Sequence, residues 1–158
     1  MFLVSSHGEN MARTSIYLNF SGNTEEAFLF YKSVFGGDFG NDGIARFGDM
    51  IPDEKTQHMS EAVKRMILHV EIEITGGLIL MGTDAPEEMG FSLKQGNNVN
   101  INLEPDTKEE AERLFHGLAD GGVILQPMQE MFWGAYYGHL QDKFGVYWMV
   151  NYAIQSIS

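Results

Sequence analysis

The feature that constrains this chain most is a repeated stretch of sequence. Residues 14–37, TSIYLNFSGNTEEAFLFYKSVFGG, and residues 98–122, NVNINLEPDTKEEAERLFHGLADGG, share one pattern: a short alternating run, a polar break, Glu-Glu-Ala, an amphipathic run and Gly-Gly. The second copy begins about 85 residues after the first, and such self-similarity is typical of a duplicated unit. We therefore expect a fold built from two matched modules.

Each copy predicts one helix after its first strand. Apolar residues recur at helical spacing on a single face, namely Ala27, Phe28, Tyr31, Val34 and Phe35 in the first copy and Ala111, Leu114, Phe115 and Leu118 in the second. Asn23 or Thr24 is the expected N-cap of the first helix, and Asp106 or Thr107 that of the second. The Gly-Gly pairs should end both helices, because glycine adopts the left-handed conformation without strain.

Three strands are expected after each helix, at residues 38–48, 65–74 and 78–84 in the first copy and at residues 123–130, 134–141 and 146–153 in the second. The segments 49–64 and 85–96 are polar and each contains a proline, which favours loops. Each copy therefore indicates a βαβββ module, the first at residues 12–90 and the second at residues 97–154, within one combined domain. Residues 1–11 are expected to be a disordered lead, either native or left from cloning.

The strand at residues 65–74, RMILHVEIEI, has the clearest alternation. Alternate residues of a strand share one side, so His69, Glu71 and Glu73 lie on the same face, and Gly76-Gly77 makes the hairpin turn that follows. One interpretation is that this face is solvated. The other is that His69 and a carboxylate form a ligand-binding or general-base site. We expect replacement of His69 by alanine to hardly affect folding, and to weaken ligand binding if a pocket is present.

Charge and composition exclude several classes of function. The chain has 22 acidic and 10 basic side chains among 158 residues, for a net charge of −12, whereas nucleic-acid-binding surfaces are basic. It has no cysteine, which excludes disulfides, thiolate metal ligands and a cysteine nucleophile. No apolar stretch approaches the length of a membrane span, and residues 1–10 lack the features of a secretory signal. We predict a cytoplasmic protein with no nucleic-acid or membrane partner.

Three motifs lie at the separations found in a known family: YLNFSGNTEEAFLFYKSVFGG, LHVEIEITGGLILMGTDA and MFWGAYYGHLQDKFGVYWMVN. Through them the chain resembles, over residues 14–153, the PhnB-like branch of the vicinal-oxygen-chelate superfamily, which includes glyoxalase I, bleomycin-resistance proteins and extradiol dioxygenases. The resemblance implies an α+β fold: two βαβββ modules form curved mixed sheets around a cup, with the helices outside. It also implies a homodimer whose modules pair within or between chains.

The branch is often labelled 3-demethylubiquinone methyltransferase-like, but the sequence lacks a glycine-rich βα turn followed by an acidic strand end, as a nucleotide-like cofactor requires. In metal-using members of the superfamily the ligands are commonly His, His or Gln, and Glu. Their positions correspond here to Ile16 or Tyr17, Asn100 or Asn102, and Met149. Phenol, amide and thioether groups bind divalent first-row metals poorly. We predict no metal and no cofactor, the alternative being a divalent metal bound through His69 and a carboxylate.

The aromatic segment FWGAYYGHLQDKFGVYW divides between core and pocket. Trp148 shares a strand face with apolar residues and is expected in the core, whereas Met149 lies on the opposite face. Phe132, Trp133 and His139 are pocket candidates. Trp133 fits a core position equally well, and His139 is expected to be exposed and inert. No catalytic residue is assigned. The ligand-binding residues predicted to line the cup are Tyr17, His69, Glu71, Asn100, Asn102, Phe132, Trp133 and Met149.

Three functions are open at this point. The first is a metal-independent protein that binds and sequesters a cationic or aromatic small molecule, which needs only a shaped apolar cavity with a few polar groups. The second is a divalent-metal-dependent lyase, isomerase or dioxygenase. The third is a dimeric interaction module without a small ligand. The sequence favours the first, because only one histidine is placed to bind a metal.

Overall fold

The computed structural model describes residues 11–50, 53–54 and 57–154. The chain divides between Leu93 and Lys94 into two compact units. Each unit contains one four-stranded mixed sheet, and the strands follow the same order in both. The α+β class and the pair of βαβββ modules are therefore confirmed.

The first unit contains six main elements, which are β1 (Ser15–Phe20), α1 (Thr24–Phe35), β2 (Ala45–Arg46), α2 (Glu61–Arg65), β3 (Ile67–Glu73) and β4 (Ile79–Asp84). The strand order is β1-β4-β3-β2, with β1 parallel to β4 and the other neighbours antiparallel. This register places Tyr17 beside Met81, and Met81 beside Glu71. Side chains from three strands therefore meet in one row across the sheet.

The second unit contains five elements, which are β5 (Ile101–Leu103), α3 (Lys108–Ala119), β6 (Val123–Glu130), β7 (Ala135–Gln141) and β8 (Tyr147–Ala153). The strand order is β5-β8-β7-β6, and β5 is parallel to β8. Met149 of β8 lies between Asn102 of β5 and His139 of β7. The sheet therefore also carries a row of three polar or polarisable side chains.

Each long helix covers one face of its own sheet with the residues that the periodicity predicted. Phe28 and Tyr31 of α1 and Phe115 and Leu118 of α3 are almost completely buried. Thr107 is the N-cap of α3, and its hydroxyl accepts a hydrogen bond of 3.1 Å from the backbone N–H of Glu110. Both helices form at these places because an apolar stripe is buried against a sheet, which supplies most of a helix's stability in a protein.

The segment between α1 and β3 differs from expectation. Of the strand expected at residues 38–48, only Ala45–Arg46 pairs with β3. Asn41 and Asp42 have φ angles of 55° and 62°, and this left-handed backbone is incompatible with an extended strand. The loop expected at residues 49–64 ends in α2, whose N-cap Ser60 accepts a hydrogen bond of 3.2 Å from the N–H of Val63. The other expected strands are confirmed to within a few residues.

Three sequence-based expectations concern the first residues of the chain, the limits of the two modules and the absence of a membrane span. Residues 1–10 of the expected lead lie outside the described residues. The module limits of 12–90 and 97–154 stay predictions. Every helix in the described part of the chain is too short or too polar to cross a lipid bilayer.

Candidate functional site

The first unit holds a chain of three hydrogen-bonded polar side chains on the sheet face opposite α1. The hydroxyl of Tyr17 lies 3.2 Å from His69 Nδ1, and His69 Nε2 lies 3.2 Å from Glu71 Oε2. His69 is 6% exposed and Glu71 1%, whereas Tyr17 is 36% exposed. This hydrogen-bonded chain of side chains therefore runs from a half-exposed phenol to a buried carboxylate.

Strand geometry explains why these residues meet. His69 and Glu71 are alternate residues of β3 and so share one face. Tyr17 lies on β1, two strands away, and its ring crosses the face to a centroid distance of 5.8 Å from the imidazole. Glu73, the next residue on that face, is exposed, as the solvated interpretation predicted. For His69 and Glu71 that interpretation is wrong, because both side chains are buried.

The segment between α1 and β2 accounts for the burial of Glu71. The N–H of Gly40 donates a hydrogen bond of 3.0 Å to the backbone carbonyl of Glu71. A Cβ atom on Gly40 would lie only 3.0 Å from Glu71 Oε1, so the backbone here packs directly against the carboxylate. Among the described residues, the buried Glu71 Oε1 and Asn41 Nδ2 have no hydrogen-bond partner. Sequence reasoning missed Gly40 and Asn41, whose only signal was the glycine-rich composition of this segment.

The ionisation of Tyr17 is set by its surroundings. Burial raises the pKa of the phenol above its ordinary value of 10.0, and a hydrogen bond with Thr83 opposes the shift. The phenol therefore keeps its proton at neutral pH and can donate it to His69. Thr83 lies on β4, between β1 and β3, and was not singled out from the sequence.

In the second unit, the predicted residues Asn100, Asn102 and Met149 lie near His139. Asn100 Oδ1 accepts a hydrogen bond of 2.7 Å from His139 Nε2, and Met149 is the strand neighbour of both Asn102 and His139. His139 is half-buried, so the expectation of an exposed side chain is wrong. β7 is an inner strand of its sheet, and His139 has Gln126 of β6 and Met149 of β8 as strand neighbours, so the imidazole is partly covered from both sides.

Phe132 and Trp133 form a separate aromatic pair in the turn between β6 and β7. Their ring centroids are 5.0 Å apart and the rings are nearly perpendicular. Phe132 is 98% exposed and Trp133 is 55% exposed, so neither belongs to the core. Trp133 lines a cavity of about 510 Å³ together with the carboxylate-bearing Glu104 and Asp106. The cup predicted to gather all eight residues stays a prediction.

The side chains at the superfamily's metal positions do not fit a divalent metal. The hydroxyl of Tyr17 is bonded to His69, and the amide oxygen of Asn100 is bonded to His139. Both ring nitrogens of His69 are likewise engaged. The described residues contain no group of three His, Cys, Asp or Glu side chains that could hold a metal ion, whereas such sites take three or four such donors.

Comparison with known proteins agrees with the motifs. Residues 12–151 match a family model described as 3-demethylubiquinone-9 3-methyltransferase. The chain is 31% identical over 147 residues to Protein YjdN of Escherichia coli (strain K12), which covers 87% of this chain and 92% of that protein. Protein PA1353 from Pseudomonas aeruginosa is 34% identical with a TM-score of 0.74, over 90% of this chain and 98% of that one. The PhnB protein from Bacillus cereus is 25% identical with a TM-score of 0.63, over 90% and 100%.

These similarities establish the fold of this chain and the family to which it belongs. Solved proteins of the glyoxalase/bleomycin resistance protein/dioxygenase class match the fold at 20% and 10% identity, which shows the fold alone. The chain belongs to the 3-demethylubiquinone-9 3-methyltransferase family, the PhnB-like branch of the vicinal-oxygen-chelate superfamily. The resemblance seen in the sequence is thereby confirmed. The family's descriptive name does not establish that activity for this chain, because one fold supports many functions.

Proposed function

We propose that this chain is a small-molecule binding protein that works without a metal and takes a cationic or aromatic ligand. The observation that carries the proposal is the Tyr17–His69–Glu71 chain, in which buried polar groups end at a half-exposed phenol. Buried polar groups are costly unless paired. In this network Glu71 Oε1 lacks a partner among the described residues, and a polar network with one accessible end suits a ligand anchor. The net charge of −12 favours a cationic guest by long-range attraction.

A divalent-metal-dependent lyase, isomerase or dioxygenase is the second candidate. One observation favours it: His69 and Glu71, two donors that bind metals well, lie 3.2 Å apart. A catalytic metal ordinarily takes three protein ligands, and the described residues bring no third such donor to this pair. This candidate therefore ranks below metal-independent binding.

Metal content distinguishes the two candidates. We expect protein purified without chelator or affinity tag to contain less than about 0.1 equivalent of zinc, nickel, manganese or iron, because folded metal sites retain their ions. Elemental analysis of the wild type and of His69→Gln measures this directly. Near-stoichiometric metal that is lost in the variant would establish the enzyme and overturn the proposal.

A thermal-shift screen of cationic aromatic compounds tests binding itself. We expect compounds that raise the midpoint of thermal unfolding, with affinities reduced about tenfold in Tyr17→Phe, since a hydrogen bond to a charged group contributes on the order of 1.5–3 kcal/mol. The matched control is Tyr136→Phe, whose hydroxyl bonds Glu112 of α3 at 2.8 Å, on the helix side of the other sheet. A screen without any stabilising compound would refute the binding function.

The proposal also includes the homodimer and the cytoplasmic location expected from the sequence. Sedimentation equilibrium should give twice the chain mass, and a mass equal to one chain would exclude the dimer. Fractionation of cells that express the protein at its natural level tests the location.

A further inference from the structure

The cavity of about 510 Å³ in the second unit shares no residue with the hydrogen-bonded chain of the first unit. Strand β5 is parallel to β8 and β7 is antiparallel to it, so the last residues of β5 and β8 meet the first residues of β7 at one end of the sheet. The cavity lies at this end. Its wall combines acidic, aromatic and amide groups, namely those of Glu104, Asp106, Trp133, Asn151 and Tyr152.

The turn that carries Trp133 is tied to the sheet. Gly134 has a φ of 87°, a conformation that favours glycine. Its N–H donates a hydrogen bond of 3.1 Å to the carbonyl of Met131, and its own carbonyl accepts one of 2.9 Å from the N–H of Ile154, just after β8. Trp133 is thereby held at the cavity and is still 55% exposed. An accessible ring in a fixed position costs a ligand little ordering.

The acidic side chains of the wall are available to a ligand. Glu104 and Asp106 are exposed, and no basic side chain in the described part of the chain forms an ion pair with either. Lys108, the lysine that follows them most closely in sequence, lies 4.5 Å over the ring of Tyr136. Thr107 is the N-cap of α3, so the carboxyl group of Asp106 is not used as the cap. Two acidic groups beside a cavity favour a cationic guest.

The aromatic and amide groups of the wall indicate the kind of cation. An indole ring attracts alkylated ammonium groups more strongly than other aromatic side chains do. The Oδ1 atom of Asn151 is buried without a hydrogen-bond partner among the described residues, which is unfavourable until a donor satisfies it. A metal ion fits less well, because the described residues contain no group of three His, Cys, Asp or Glu side chains that could hold one.

We propose that this cavity binds an alkylammonium ion that carries an N–H. Glu104 and Asp106 attract its positive charge. Its alkyl groups pack against Trp133 and Tyr152, and its N–H donates to Asn151 Oδ1. The inference goes beyond the proposed function, because the site uses residues of the second unit only and does not depend on a ligand in the first unit.

NMR of protein labelled with ¹⁵N in its tryptophan indoles tests the place of binding. The chain has two tryptophans, and Trp133 lines the cavity whereas Trp148 is buried in the core. At pH 7 and constant ionic strength, trimethylammonium should shift the Trp133 signal in a saturable way and leave the Trp148 signal in place. Trp133→Phe identifies its signal by the loss of it. A Trp133 signal that does not move, or an equal shift of both signals, overturns the inference.

Two further probes of similar shape test the chemistry. Tetramethylammonium keeps the charge but has no N–H, and tert-butanol keeps a donor but has no charge. We expect tetramethylammonium to bind about threefold more weakly than trimethylammonium, because it cannot make the hydrogen bond. Binding of tert-butanol should be at least about tenfold weaker, because it lacks both the cation–π and the charge attraction. If either probe binds as tightly as trimethylammonium, the inference is wrong.

Variants of the wall test the contacts, with the backbone N–H signal of Ala135 as the reporter. Glu104→Gln and Asp106→Asn should each weaken trimethylammonium binding about threefold, the usual effect of one exposed charge. Trp133→Leu should weaken it at least about threefold. The matched control is Asp120→Asn, which removes the same charge at the other end of α3 and should leave the affinity unchanged. An equal loss in Asp120→Asn and Asp106→Asn would mean that overall charge attracts the cation, which overturns the inference.

Tyr17→Phe separates this inference from the proposed function. Tyr17 belongs to the first unit, so this variant should keep its full affinity for trimethylammonium, and a loss would overturn the inference. If compounds from the thermal-shift screen depend on Tyr17 while trimethylammonium does not bind, the proposed function stands and the inference is wrong. If trimethylammonium binds at Trp133 and no screened compound depends on Tyr17, the inference stands and the proposed function is wrong.

Discussion

At the scale of single residues, the two tryptophans differ in burial. Trp148 is 0% exposed and its indole N–H donates a hydrogen bond of 2.8 Å to Asp142 Oδ2. Trp133 is 55% exposed at the rim of a cavity. The same residue type thus supplies core packing in one place and an accessible aromatic surface in another.

We expect Trp148→Ala to lower the free energy of unfolding by about 3–5 kcal/mol, the usual loss for a truncated core aromatic. Loss of the donor to the buried Asp142 adds to the effect. Trp133→Ala is the matched control and should change stability by less than about 0.5 kcal/mol, as surface substitutions do. Urea unfolding followed by circular dichroism measures both variants, and equal losses would contradict the burial described above.

His69 reverses an expectation drawn from the sequence. The solvated interpretation predicted that His69→Ala would hardly affect folding, but the structure buries both His69 and Glu71. We now expect a loss of about 1–3 kcal/mol, because the variant leaves a buried carboxylate without its donor. His116→Ala, at an exposed position of α3, is the control. Urea unfolding that finds equal stability for the two variants would restore the solvated interpretation.

At the scale of elements, one buried carboxylate joins the start of α1 to the start of β3. Asp84, at the end of β4, is 2% exposed. It accepts hydrogen bonds from the hydroxyl of Thr24 at 2.6 Å and from the N–H of Ile67 at 2.8 Å. The N–H groups of Gly22 and Thr24 also donate to it, at 3.0 and 3.1 Å. The first N–H groups of a helix have no acceptor within the helix. Here Asp84 accepts from the N–H of Thr24, while the N-cap residue Asn23 makes no side-chain cap hydrogen bond.

We expect Asp84→Asn to cost about 2–4 kcal/mol, because the amide loses the charge and turns a donor towards groups that already donate. The control Asp120→Asn changes an exposed residue after α3 and should cost less than about 0.5 kcal/mol. Both values come from urea unfolding with a common slope. Near-neutral behaviour of Asp84→Asn would show that Asp84 does not hold these elements together.

At the scale of the whole molecule, charge imbalance is the dominant feature. The chain carries 22 acidic against 10 basic residues, and like charges repel one another most strongly in the compact folded state. Salt at about 0.2 M reduces the range of this repulsion to well under 10 Å. The folded state should therefore gain stability when salt is added.

We expect the midpoint of thermal unfolding at neutral pH to rise by about 2–4 °C between low salt and about 0.2 M sodium chloride, which corresponds to roughly 1 kcal/mol for a chain of this size. Calorimetry measures the shift, and choline chloride should give the same rise if screening rather than sodium binding is the cause. A fall in the midpoint would mean that favourable surface ion pairs outweigh the repulsion.

Much of the fold was determined by patterns that are local in the sequence. Helices α1 and α3 and most strands follow from apolar spacing and turn residues, which act between near neighbours in the chain, whereas the sequence left the N-cap of α3 open between Asp106 and Thr107. The repeat added the presence of two like modules. The alternation along β3 is by itself enough to place His69, Glu71 and Glu73 on one face of that strand.

The tertiary structure alone decided which of those face residues are buried. Glu71 is covered by the backbone at Gly40, which comes from another part of the chain, and Tyr17 reaches His69 from a strand more than fifty residues away in sequence. Contacts of this kind depend on how elements pack, and short-range periodicity carries no information about them. For that reason the sequence by itself determined the elements and the candidate residues, whereas only packing made three of those residues into one hydrogen-bonded chain.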